Sequence, residues 1–215
     1  MAGPRGTPFH WFFLGDAILI GADVLQRNQV LSDVRFLVTH EAGFGEIFQY
    51  VKAALAVVML TTLAIRRRSV SALMWAVLLT IALLDDSLSI HERAGDHLAA
   101  FAGLRQVGAL RANQVGELAF FAGLGLLCAI VVAVGWYWGD AEDHRFSRTL
   151  LVWFGALGFC AVVLDAVASL ARGSRVAGAF GVLEDGGEMI VMTFLLIGVW
   201  RGLRRALEPG SPGTA

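Results

Sequence analysis

Long apolar runs separated by short polar stretches make up most of this chain. Each of six runs is about 20 residues long, which is enough for an α-helix to cross ~30 Å of hydrocarbon. The runs cover residues 9–26, 45–65, 70–91, 114–138, 148–171 and 181–203. Since backbone groups in lipid must be hydrogen-bonded within their own segment, the runs predict helices. We therefore predict an all-α polytopic transmembrane helix bundle of about six helices, with both termini on the same side.

The amino-acid composition agrees with this class of protein. Hydrophobic residues make up 57% of the 215 residues and charged residues 16%, whereas soluble domains carry about 25% charged residues. We expect a single transmembrane bundle domain over residues 1–207 and a disordered tail over residues 208–215. The net charge of −1 gives no sign of nucleic-acid binding. The sequence contains no nucleotide-binding motif. We expect the helices to be surrounded by the lipid bilayer.

Positive charges and tryptophans predict the orientation. If successive helices alternate in direction, nine basic residues fall on the side of the N-terminus and eight on the other side. Arginine clusters within 66–68 and 201–205 adjoin helix ends on the N-terminal side, and all six tryptophans fall near it. Cytoplasmic loops are enriched in Lys and Arg. The termini are therefore predicted to be cytoplasmic.

Acidic side chains collect at the opposite side. The same alternation places thirteen of the 18 acidic residues there, and charged groups within a membrane are costly and mark functional sites. Carboxylates crowded together protonate, pair with a basic residue or bind a cation. The candidate metal ligands are Asp85, Asp86, His91, Glu92, Glu117, Asp165, Glu184 and Glu188. An acid such as Glu184 also suits the first turn of a helix, where it complements the helix dipole.

A second set of residues is expected to surround these ligands. It comprises Glu46, Gln49, Lys52, Asp185 and Ser89. Lys52 is the only lysine, and it either neutralises a carboxylate of the cluster or extends its ammonium to the membrane surface. For Glu117 and Asp165, an interhelical hydrogen bond is an equal alternative to metal ligation. Asp16 is remote from the other acids, so we expect it to be protonated or bonded to Ser or Thr.

Helical geometry limits how the third run can contribute. On a regular helix Asp85, Ser89 and Glu92 lie along one stripe, while His91 points about 100° away from it. A single unbroken helix therefore cannot direct Asp85 and His91 at one atom. We expect either that the helix loosens after Leu88 or that some of these residues support the ligands indirectly.

Four short motifs stand out in the runs that carry these residues. They are Glu46-x-x-Gln49-Tyr50-x-Lys52, Asp85-Asp86-Ser87-Leu88-x-x-His91-Glu92, Gly116-Glu117 and Glu184-Asp185-Gly186-Gly187-Glu188-Met189. Together they resemble an uncharacterised family of bacterial multi-pass membrane proteins. The resemblance implies a bacterial inner membrane location, but it implies no activity. The arginine clusters predict that the acidic pocket lies toward the periplasm. In that family a His follows the acid at the position of Asp165 within one turn, whereas residues 166–169 contain none here.

The leading functional interpretation is a metal site within the membrane. Several carboxylates with one or two His suit a divalent cation such as iron, manganese, zinc or calcium, with a hydrolytic, redox or structural role. The Glu-x-x-His spacing of four-helix di-iron proteins is absent. Two alternatives remain open, which are an accessory subunit of a larger membrane complex with protein partners, and a proton or cation transporter. The apolar, Trp-rich halves near the N-terminal side weigh against transport.

Overall fold

The structure is a computed structural model that describes residues 9–38, 40, 42–108, 110–171 and 177–207. Every long element within these residues is a helix. The α-helices are α1 (His10–Arg27), α2 (Phe44–Arg67), α3 (Val70–Ser87), α4 (Ile90–Ala102), α5 (Ala112–Tyr137), α6 (Ala141–Gly158), α7 (Asp165–Leu170) and α8 (Ala177–Leu207). A 3₁₀ turn, Val34–Phe36, follows α1, and a π-helical segment, Phe159–Leu164, joins α6 to α7. The all-α prediction is therefore confirmed.

Four helical segments of the described chain are long and apolar enough to cross a membrane. They are α2, α3, α5 and the continuous segment Ala141–Leu170, which joins α6, the π-helical segment and α7. α1 and α8 are also long, but both contain several charged residues. A membrane-embedded helical bundle is thus supported, while six spans and the placement of both termini on one side stay predictions. The predicted disordered tail, 208–215, lies outside the described residues.

The predicted helix over 70–91 is wrong at its end. α3 stops at Ser87, Leu88 leaves helical geometry, and Ser89 adopts a left-handed backbone with φ 45°. α4 begins afresh at Ile90 and packs along α5. The expected loosening after Leu88 is therefore a complete break. Because of this break, the direction of α4 is independent of the direction of α3.

The hydrophobic core lies between α2, α3, α6 and α8. Its most deeply buried side chains include Leu60, Leu78, Leu79, Leu150, Leu195, Leu196 and Val199. Trp75 is also buried there, and its indole N–H donates to the Ser147 hydroxyl at 3.0 Å. α5 differs from these helices, because it packs on α3 and α4 and touches α6 little. Only 6% of the most apolar stretch of α5 is buried, so this helix presents most of its surface to the surroundings of the bundle.

One buried ion pair joins α1, α2 and α8. The Lys52 side chain is fully buried, and its Nζ donates to Asp16 Oδ1 at 2.7 Å, to the Met189 carbonyl at 2.6 Å and to Thr193 Oγ1 at 3.3 Å. The Thr193 hydroxyl in turn donates to Asp16 Oδ2 at 2.6 Å. All three ammonium hydrogens therefore have acceptors. Both alternatives predicted for Lys52 are wrong, because it pairs with Asp16, outside the cluster, and does not reach the surface.

Polar contacts close the end of the bundle where α2 finishes and α3 and α6 begin. Arg67 pairs with Glu142, and the Ser69 hydroxyl donates to Asp143 Oδ1 at 2.8 Å. Asp140 caps α6 by accepting the backbone N–H groups of Glu142 and Asp143, each at 2.8 Å. The hydrogen bond from the Asp143 N–H lowers the pKa of Asp140. This closed end contrasts with the opposite end, where the acidic residues lie.

Replacement of Lys52 by Met is expected to destabilise the protein by about 3–5 kcal/mol, because the buried Asp16 carboxylate then has no cation beside it. The double variant Lys52→Met/Asp16→Leu is expected to recover most of that loss, since an apolar pair of similar size is often as stable as a buried ion pair. Equilibrium unfolding in detergent micelles measures both.

The control for this experiment is Arg66→Met, at the exposed end of the same helix. It is expected to leave the unfolding free energy nearly unchanged. A Lys52→Met variant as stable as this control would show that the ion pair does not hold the three helices together.

Candidate functional site

A cavity of about 900 Å³ opens into the end of the bundle opposite the closed end. Among the described residues, nine carboxylates line it, together with one histidine and one arginine. The acids are Asp85, Asp86, Glu92, Asp96, Glu117, Asp165, Glu184, Asp185 and Glu188. We call this part the acidic end of the cavity. Because α3, α4, α5, α7 and α8 all contribute to it, the acids converge only in the folded bundle.

The eight residues proposed as metal ligands all line this cavity, and Gln49 and Asp185 of the supporting set do so as well. Glu46 and Ser89 line a smaller adjoining cavity of about 150 Å³, which shares Gln49, Asp86, His91, Glu92, Asp185 and Glu188 with the first. Lys52 lines neither of the two. The structure thus brings the eight candidate ligands to one cavity, whereas Lys52 lies outside both cavities.

The break after α3 places His91 beside Asp85. Asp85 lies in the last turn of α3, and its Oδ2 is 3.3 Å from Nδ1 of His91 in the first turn of α4. The neighbouring Asp85 carboxylate raises the pKa of His91. The left-handed residue Ser89 turns the chain between them. On one regular helix Asp85 and His91 would point apart, and the break at Ser89 corresponds to the predicted alternative of a helix that loosens after Leu88.

Three buried polar atoms at the acidic end have no hydrogen-bond partner within the described part of the chain. They are Asp85 Oδ1, Gln49 Oε1 and His91 Nδ1, whose 3.3 Å contact with Asp85 Oδ2 lacks hydrogen-bond geometry. Asp85 is only 7% exposed. Burying a polar group without a hydrogen bond costs about 1–3 kcal/mol. The arrangement therefore lacks a donor at this point, which a bound ligand can supply.

The acids of α8 are oriented by the buried ion pair. Glu188 accepts a hydrogen bond from Gln49 Nε2 at 3.0 Å, and the next residue, Met189, supplies the carbonyl bound by Lys52. Thr193, one turn farther, bonds to Asp16. These contacts fix the rotation of α8 about its axis, so that Glu184, Asp185 and Glu188 line the cavity.

Local contacts occupy both carboxylate oxygens of Glu46. One of its oxygens accepts a hydrogen bond from the Tyr50 hydroxyl, and the other accepts one from the Ala42 backbone N–H.

No three His, Cys, Asp or Glu side chains in the described ranges come close enough together to hold a metal ion. The carboxylates are instead distributed around the walls of the cavity.

The deeper part of the cavity is apolar, which the sequence analysis missed. Its lining includes Leu79, Leu83, Phe121, Leu124, Phe154 and Met192, and we call this part the apolar arm. Each residue precedes or follows an acid of the same helical segment by about half a turn to three turns toward the closed end. Asp96, Arg111, Asn113 and Gln114 line the cavity as well and were also missed. A search restricted to ionisable groups within predicted spans overlooks both sets.

A close glycine contact fixes the helix that covers the acidic end. α4 and α5 meet at Gly95 and Gly116, where a Cβ added to Gly116 would lie 2.2 Å from the Gly95 carbonyl oxygen. A Cβ on Gly95 would lie 2.5 Å from Glu117 Cγ. Small residues allow helices in a membrane to approach closely. His91 and Glu92, in the first turn of α4, are positioned by this contact.

Comparison with known proteins relates most of the chain to one family. A family model with the description "Domain of unknown function (DUF8692)" matches residues 12–201. The match extends from the first turn of α1 nearly to the end of α8 and includes every residue that lines the cavity. No curated protein and no solved structure matches the chain.

Replacement of Gly116 by Ala is expected to push α4 away from α5 and to destabilise the protein by about 1–3 kcal/mol, as overpacked contacts do. Thermal unfolding in detergent measures the loss. The matched control is Gly123→Ala on the same helix, where an added Cβ meets nothing within 4 Å. That control is expected to be neutral or stabilising, because Ala favours a helix more than Gly does. Equal effects of the two changes would contradict the close contact.

Proposed function

We propose a function from the cavity itself, because the chain belongs to the DUF8692 family, whose function is unknown. The acidic end of the cavity binds a cation. The simplest case is a divalent metal cation (iron, manganese, zinc or calcium), held with part of its water shell. The role of such a metal would be hydrolytic, redox or structural.

The observation that carries this proposal is the buried, unpartnered carboxylate oxygen of Asp85. Its Oδ1 has no hydrogen-bond partner in the described ranges, and the residue is only 7% exposed. Of the described residues, nine carboxylates line the cavity against one arginine and one histidine. Like charges so close together favour either protonation or a bound cation. A cation satisfies both the charge and the missing contact at Asp85.

The spread of the carboxylates favours a cation that keeps some of its water. No three ligands converge in the described chain, whereas a cavity of about 900 Å³ leaves room for water between ion and protein. Calcium accepts six to eight oxygens in flexible geometry, often including water and carbonyl oxygens. Among the metals considered, calcium therefore suits this arrangement better than zinc, which prefers four close nitrogen or sulfur ligands.

Binding is favoured over transport by what lies beneath the cavity. The buried side chains between the cavity and the closed end are mostly apolar, and they include Leu60, Leu78, Leu150, Leu196 and Val199. A cation path needs polar groups along its length. We also propose, from the arginine clusters and the bacterial resemblance, that the protein lies in a bacterial inner membrane with cytoplasmic termini and a periplasmic cavity.

Cation binding is tested by thermal unfolding of chelator-treated protein in a nonionic detergent, titrated with calcium, manganese or zinc. We expect at least one metal to raise the unfolding temperature of the wild type. Asp85→Asn and Glu188→Gln are expected to weaken that binding by about tenfold or more, a loss typical of changes at and around metal ligands. Metal analysis of the purified protein gives an independent readout.

The control variant is Asp33→Asn, which removes an acid outside the cavity. Asp33 pairs with Arg35, whose guanidinium donates to it at 2.7 Å and lowers the pKa of Asp33 to about 2. This change is expected to leave cation binding unaltered. A wild type that contains no metal and is not stabilised by any of the three metals, nor by an organic cation, would refute the proposed function.

A further inference from the structure

The cavity combines two chemically different parts in one continuous space. The acidic end carries Asp85 and Glu188, and the apolar arm continues from it past Leu83, Phe121 and Phe154. A helix has 3.6 residues per turn. Phe154, eleven residues before Asp165, therefore lies about three turns deeper in the bundle than Asp165. A small inorganic cation would occupy only the acidic end. The apolar arm therefore calls for a ligand with a hydrocarbon part.

The side wall of the apolar arm is formed by helices that barely touch each other. α5 and α6 make little contact, and three glycines on them, Gly125, Gly155 and Gly158, line the cavity. A Cβ added at any of these positions meets nothing within 4 Å. All three are exposed, so the gap between the two helices opens laterally. In a bilayer such an opening faces the hydrocarbon chains of lipids.

The unpartnered atoms of the acidic end specify the polar part of the ligand. Asp85 Oδ1 and Gln49 Oε1 are both acceptors without a donor in the described chain. Gln49 is fixed in this orientation because its Nε2 donates to Glu188. An alkylammonium group offers three N–H donors, no acceptor and a positive charge. An anionic headgroup, such as a carboxylate or a phosphate, would be repelled by the nine carboxylates.

We propose that the cavity binds a long-chain amine, with its alkyl chain in the apolar arm and its ammonium group at the acidic end beside Asp85 and Gln49. The chain enters from the bilayer through the gap between α5 and α6. This inference rests on the proposed function, because it requires an acidic end that attracts cations, and it names a molecular cation for that site.

The test compares hexadecylamine, hexadecanol and hexadecanoate as probes of equal chain length. Each is added to the purified full chain in nonionic detergent, and binding is measured by native mass spectrometry and by the shift in unfolding temperature. We expect the amine to bind and stabilise the protein, and the alcohol and the acid to do neither. Asp85→Asn is expected to reduce the affinity for the amine by about tenfold or more, as loss of a direct charged contact does.

The apolar arm is tested by filling it. Gly155→Phe introduces a ring where the structure has open space, and it is expected to abolish binding of hexadecylamine while leaving small cations bound at the acidic end. The matched control is Gly123→Phe, where a Cβ also meets nothing but which does not line the cavity. It is expected to bind the amine as the wild type does. Gly158→Leu fills the same arm if Gly155→Phe fails to fold.

The possible outcomes separate the inference from the proposed function. If methylamine or a divalent metal binds while hexadecylamine binds no better than hexadecanol, the inference is wrong and cation binding stands. Equal binding of the amine to the wild type, Gly155→Phe and Gly158→Leu would also overturn the inference. If neither small cations nor the amine bind, both proposals fail.

Discussion

The buried ammonium group of Lys52 is the contact on which the rest of the arrangement depends. It joins α1, α2 and α8 through Asp16, Thr193 and the Met189 carbonyl. A charge buried this deeply is tolerated only when every donor and acceptor around it is paired. The geometry of three helices is therefore set at one point. Since Glu188 precedes Met189 directly, the same point determines which way the acids of α8 face.

The two ends of the bundle differ in whether their acidic side chains have partners. At the closed end each acid has a partner, as Glu142 has in Arg67 and Asp143 in the Ser69 hydroxyl. At the acidic end carboxylates outnumber basic groups, and the Asp85 oxygen is left without a donor. Among the described residues, Arg111 is the one arginine that lines the cavity. The imbalance is thus local, which is typical of a binding site and unlike a structural ion-pair network.

Alternation of helix direction was sufficient to predict much of the fold and of the site. Apolar run length predicts most of the long helices, and alternation of their direction predicts that the eight candidate ligands lie at one end of the bundle. The partner of Lys52 was not predictable, because Asp16 is 36 residues away and nothing local links the two. The apolar arm was missed for another reason. Its side chains resemble ordinary core residues in sequence, and only the wide separation of α5 from α6 leaves space between them.

The π-helical segment Phe159–Leu164 determines where this chain can lose a residue without rotating its acids. A π turn contains one residue more per turn than an α turn, and it is commonly placed near functional sites. Removal of one residue from this segment would restore a regular helix and leave both flanks in register. Asp165 would then still face the cavity. We therefore expect single-residue deletions between α6 and α7 to be accepted in relatives of this chain, whereas in α3 or α8 they would rotate the acids by about 100°.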